Sequence, residues 1–131
     1  MKSIVIRSDA SAEIGTGHVM RMIALVQAWL ARGGQVAFVY SYCPEFLEER
    51  LNEEGAELVP LDGIIPGTEA DVIATKQVSS RIGAEWIVLD GYHFDGDYQR
   101  QLKQVGVRLL VVDDYHFSEN WHSDAILNHN I

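Results

Sequence analysis

Cysteine is almost missing: Cys43 stands alone among 131 residues. That excludes an internal disulfide framework and a cysteine-rich zinc site, and it agrees with a reducing compartment. Basic residues are also scarce. Ten Lys and Arg face 19 Asp and Glu, and the resulting net charge of −9 is spread along the chain rather than gathered in a tail. Such a surface argues against a nucleic-acid partner. It also means that a phosphate-bearing ligand must be held by local devices, such as backbone N–H groups at a helix start or one or two arginines. No apolar run approaches the ~20 residues that cross a bilayer, and the first residues lead into a strand-like pattern instead of a signal peptide. A cytoplasmic protein with no membrane partner is expected.

What is present is an ordinary globular composition, 47% hydrophobic and 22% charged. The length fits one domain that buries roughly two-thirds of its unfolded surface. Ile4, Val5 and Ile6 read as a short strand buried on both faces, and 18–32 as a helix whose stripe is Val19, Ile23, Val26 and Leu30, widened by Met22, Leu25 and Trp29. Gly33 and Gly34 end it. Strands are expected at 36–40, 57–59, 86–89, 107–112 and 125–127, and helices at 44–52, from Thr68 to about Ile82, and from an Asp95 cap to about Val105. Thr68 and Asp71 have capping-box spacing. Helices alternating with apolar strands predict an α/β, Rossmann-like, open and mostly parallel sheet with helices on both faces.

In such sheets ligands bind beyond the carboxyl ends of the strands. Polar residues collect there: Arg7, Ser8 and Asp9 after the first strand, Asp90 to His93 after the fourth, Asp113 to His116 after the fifth, and Asn128 to Asn130 after the last. The opposite connections, such as Gly33-Gly34-Gln35, carry little chemistry.

Gly15-Thr16-Gly17-His18-Val19-Met20 invites a dinucleotide-binding reading and departs from it three times. Met20 replaces the third glycine, the glycines come a full loop after the strand, and Tyr40 and Ser41 stand where an acidic residue should end the second strand. No Gly-Lys-Ser/Thr follows, which removes a Walker-type loop. Asp113 and Asp114 come too late for a receiver-domain pocket. A metal site from His93, His116 and His129 lacks a close-spaced ligand pair, so no metal is expected. The glycine loop does offer backbone N–H groups at a helix N-terminus. His18 sits at that start, where the dipole disfavours imidazolium and favours the neutral ring that a general base requires. A capping or packing role stays open beside it. Arg21, three residues on, shares a helical face with His18 and either reaches an anion held in the loop or lies exposed. Arg7 is expected to pair with Asp9 or Glu13.

The stretch Arg7-Ser8-Asp9-Ala10-Ser11-Ala12-Glu13-Ile14-Gly15-Thr16-Gly17-His18-Val19-Met20-Arg21 closely resembles the opening signature of the UDP-2,4-diacetamido-2,4,6-trideoxy-β-L-altropyranose hydrolases of pseudaminic acid biosynthesis. The resemblance continues at Asp90-x-Tyr92, Val112-Asp113-Asp114 and Ile126-Leu127-Asn128, so it covers essentially the whole chain. It implies the N-terminal half of a two-domain fold like the GT-B glycosyltransferases. The implied activity is hydrolysis of a UDP-sugar, releasing UDP with C–O cleavage and inversion at the anomeric carbon. By the same resemblance His18 would activate the attacking water and Tyr92 would hold the sugar or order that water. Asp9, Gly15, Thr16, Gly17, Arg21, Asp90, Asp113 and Asn128 would line the substrate site. No cofactor is implied. The partner would be a nucleotide-gripping C-terminal domain outside these 131 residues, without which the chain is expected to be inactive. Two departures stand out: the family reads Asp-His-Tyr-Gly where this chain has Asp90-Gly91-Tyr92-His93, and cysteine where it has Met22. A glycosyltransferase on the same scaffold and a non-catalytic nucleotide-binding domain are the alternative readings.

Overall fold

Every apolar run named above becomes a strand and every amphipathic run a helix. The computed structural model describes residues 2–10, 16–91, 94–112 and 123–127, with 16–19, 126 and 127 described by backbone alone. The order is β1 (Ser3–Ser8), α1 (Thr16–Ala31), β2 (Gln35–Tyr40), α2 (Glu45–Glu54), β3 (Glu57–Pro60), α3 (Glu69–Ile82), β4 (Ala84–Asp90), α4 (Gly96–Lys103), β5 (Arg108–Val112) and β6 (Ala125–Leu127). The strands form one sheet in the order β3-β2-β1-β4-β5-β6. All neighbouring pairs are parallel. This is the doubly wound α/β arrangement, and its switch point lies between β1 and β4.

The two-residue period of the strands sorts side chains onto two faces. Ile4, Ile6, Phe38, Tyr40 and Val88 pack with Met22, Ile23 and Val26 of α1 and Leu47 and Leu51 of α2. Val5, Ala37, Val39, Ile87 and Leu89 pack with Val72 and Val78 of α3 and Tyr98 and Leu102 of α4. Two layers of helices therefore cover one sheet, as the Rossmann-like expectation requires.

Several boundaries differ from the sequence expectation, each for a local reason. Helix α4 stops at Lys103, two residues early, because the chain turns over 104–106 and Gly106 takes φ +78°. The capping box is half formed. Thr68 accepts from the Asp71 amide at 3.4 Å, but the Asp71 carboxylate accepts from Gly67 N at 2.8 Å and otherwise turns inward. Strand β1 runs past the apolar triplet to take in Ser3, Arg7 and Ser8, all of them buried.

Arg7 explains that extension. Alternation sends it to the face of α3 and α4, where its side chain is 0% exposed and needs an internal anion. Its Nε and Nη2 donate to the two oxygens of Asp71, each at 2.9 Å, the forked geometry in which guanidinium meets carboxylate most strongly. Nη1 lies 3.1 Å from Asp9, Nη2 donates to Ser41 Oγ at 3.2 Å, and the guanidinium stacks 5.1 Å over the Phe94 ring. The expected Arg7–Asp9 pair is thus present, whereas Glu13 lies outside the described residues. Asp71 also accepts from Thr75 at 3.0 Å and from the Tyr98 hydroxyl at 2.7 Å. Burial alone would raise the Asp71 carboxyl, but Arg7, Gly67 and Tyr98 outweigh it and hold the group below the usual carboxylate range. Burial, reinforced by the Asp71 charge, pushes the Tyr98 phenol upward.

Two stability predictions follow from these contacts. A methyl group at Gly34 would sit 2.3 Å from Trp29 Nε1 and 3.0 Å from the Lys2 carbonyl oxygen, so Gly34→Ala should cost about 1–3 kcal/mol in urea unfolding. An unchanged midpoint would show that the indole yields freely. Asp71→Asn strips the fully buried Arg7 of its forked anion and should cost about 3–5 kcal/mol at pH 7. Because the folded carboxyl lies below its unfolded value of ~3.9, this stabilisation is present at neutral pH and fades as pH falls beneath that value. Wild-type and variant urea curves should therefore converge in acid; a gap constant with pH would reject the assignment.

Candidate functional site

The switch point is built from the carboxyl ends of β1 and β4, which lie side by side with Ser8 opposite Asp90. Helix α1 begins at Thr16, so Thr16, Gly17 and His18 occupy its first turn, where N–H groups lack intrahelical acceptors. Two further helices open at this edge, α2 behind Pro44 and α4 behind Asp95, whose carboxylate accepts from Tyr98 N at 2.9 Å.

Arg21 and Asp90 meet across this point. Val88 faces the α1 layer, so Asp90, two residues further along β4, faces it too. Nη2 of Arg21 donates to both carboxylate oxygens, at 3.1 and 3.0 Å, and the two side chains are 17% and 3% exposed. The arginine expected either to meet a ligand anion or to lie exposed is therefore paired with a protein carboxylate. Immediately after Asp90 the chain turns at Gly91, whose φ is +150° and where an added Cβ would lie 3.2 Å from the Phe94 ring. That backbone favours glycine.

Asp9 is another described residue of the expected substrate site. Its Oδ1 accepts from the amides of Ser41 and Tyr42, at 2.6 and 3.0 Å, and neighbours Arg7. The loop after β1 is thereby tied to the loop after β2, a tie strengthened by Ala10 N donating to Tyr42 O at 2.9 Å. Oδ2 is buried without a hydrogen bond. Gly15, Tyr92, Asp113 and Asn128 lie outside the described residues, as do His93, His116 and His129. Among the described residues no group of three His, Cys, Asp or Glu is placed to hold a metal ion, and no helix is long and apolar enough to cross a membrane.

Sequence pattern does not reveal the second polar cluster, beyond β2. Tyr40 donates to Glu48 at 2.5 Å, and burial together with that carboxylate pushes its phenol upward. Burial, with Glu48 and Asp9 nearby, pushes the Cys43 thiol up to about 12, so it stays protonated and is a poor nucleophile. The clue was Glu48 lying eight residues after Tyr40, a spacing with no meaning until β2 and α2 are packed together.

No family model and no curated protein matches the sequence. Solved structures do resemble the fold. MurG of Acinetobacter baumannii superposes with a TM-score of 0.69 at 12% identity, over 98% of this chain and 41% of that one. A UGT transferase from Siraitia grosvenorii, solved with UDP, gives 0.61 at 16% identity over 87% of this chain and 28% of that one. The 3-deoxy-D-manno-octulosonate 8-phosphate phosphatase of Moraxella catarrhalis, solved with magnesium, phosphate and KDO, gives 0.60 at 14% identity over 96% and 75%. The chain thus spans less than half the length of the two transferases it resembles. At such identities the likeness is one of fold, and a scaffold shared by transferases and a phosphatase does not choose a chemistry. It does establish that the chain has the α/β Rossmann-like fold.

Proposed function

We propose that this chain is the water-activating half of a UDP-sugar hydrolase that acts on a diacetamido-trideoxyhexose, in the manner of the pseudaminic acid enzymes its motifs resemble. The observation that carries the reading is the β1/β4 switch point, where α1, which begins at Thr16, and the end of β4 at Asp90 are tied together by Arg21 and Asp90. The two transferase likenesses support it at the level of scaffold, one of them solved with UDP. A GT-B partner domain would grip the nucleotide, in keeping with the fraction of those chains that this one spans.

In this reaction His18 takes a proton from water while the water oxygen bonds to the anomeric carbon from the face opposite UDP. The C1–O bond breaks, its electron pair leaves with the β-phosphate, and the sugar is released with inverted configuration. A base whose pKa lies near working pH suits the first step, and the N–H groups at the start of α1 suit an anionic neighbour. Tyr92 holds the sugar or orders the water. Asp9, Gly15, Thr16, Gly17, Asp113 and Asn128 complete the site.

Turnover of the UDP-sugar by the full-length protein in heavy-oxygen water tests the chemistry. Label is expected on the anomeric oxygen of the free sugar and absent from UDP. Label in UDP would mean attack at phosphorus, and an unlabelled sugar product would favour a glycosyltransferase on the same scaffold. His18→Ala should lower turnover by about a hundred- to ten-thousand-fold; unchanged turnover would point to another base or to a nucleotide-binding module without catalysis.

A further inference from the structure

We propose that Arg21 and Asp90 are a positioning pair for the hydrolysis described above, and not contacts to its substrate. The inference rests on that functional reading but begins from burial. Asp90 is 3% exposed and accepts from Arg21 Nη2 on both oxygens. A sugar hydroxyl or a diphosphate that broke the pair would leave a desolvated charge behind, which is costly. The pair therefore acts through what it holds.

What it holds are the two segments that bear the candidate catalytic residues. Arg21 lies three residues after His18 in one continuous helix, so a tether at Arg21 fixes where the backbone of residue 18 stands. Asp90 is the last residue of β4 and precedes Tyr92 by two, with the turn at Gly91 between them. The ion pair joins the second turn of α1 directly to a central strand of the sheet. Reacting atoms must be held about 3–3.5 Å apart and aligned, and a displacement of about 1 Å costs roughly a hundredfold in rate. A residue that acts only by position lowers kcat and leaves substrate affinity nearly intact.

Asp90→Asn in the full-length protein keeps the shape of the side chain and removes the charge. It should lower kcat by about ten- to a hundredfold while KM stays within about threefold of wild type. Arg21→Lys with Asp90 intact, which keeps an ion pair, should lose much less kcat than Asp90→Asn. Independently of activity, amide exchange at Met20–Ile23 should speed up by about tenfold in Asp90→Asn, while exchange at Val26–Leu30 is unchanged. A higher KM with kcat intact would make the pair a substrate contact and overturn the proposal. Unchanged exchange at Met20–Ile23 would overturn it too, as would exchange faster across the whole sheet, which would mark a purely structural pair. If the wild-type protein does not hydrolyse the UDP-sugar, the functional reading fails on that result alone, and exchange still decides whether the tether exists.

Discussion

A guanidinium with no access to water sits in the middle of this sheet, and much of the fold is arranged around it. Arg7 occupies a position on the α3/α4 face that strand alternation would give to an aliphatic residue, like Val5 two positions before it. Satisfying its charge recruits Asp71 from α3, Asp9 from the end of β1, Ser41 from the end of β2 and the ring of Phe94 ahead of α4. Tyr98 and Thr75 then satisfy the remaining lone pairs of Asp71 and also bond to one another at 3.1 Å. Low local dielectric strengthens the bonds of such a buried network, in which Asp9 Oδ2 is left without a hydrogen bond. Its geometry therefore dictates how α3 and α4 lie on the sheet and where the loops beyond β1 and β2 begin.

Each described arginine at the carboxyl edge is neutralised from within: Arg7 by Asp71 and Asp9, Arg21 by Asp90. Added to a net charge of −9, this makes the edge a poor electrostatic trap for a diphosphate. On the proposed reading that is the right division of labour, because a half that supplies water and base to a sugar has no need to grip the nucleotide. Helix N-termini provide partial positive charge without an exposed cation.

The element order and the parallel sheet were legible because hydrophobic period and glycine punctuation are local signals. Gly33 and Gly34 end α1 through Gly33 N to Leu30 O at 3.0 Å and Gly34 N to Trp29 O at 3.3 Å, as their place after the apolar stripe implied. What was not legible depends on partners distant in sequence. Arg7 was correctly matched to Asp9, but its stronger partner, 64 residues away, looked like half of a capping box. Arg21 gave no hint that Asp90, 69 residues away, would meet it, since the two come together only once α1 packs on the sheet. Spacing identifies which residues share an element; it does not say which elements share a charge.

The distance between Arg7 and Asp71 also bears on the order in which the chain acquires structure. During synthesis β1, α1 and β2 emerge before the carboxylate that balances the charge of β1 exists outside the ribosome. Until α3 follows, Arg7 has Asp9 beside it but lacks the forked carboxylate of Asp71. A charge that helps hold the finished domain together is thus matched, while the chain is incomplete, by only part of its final set of partners.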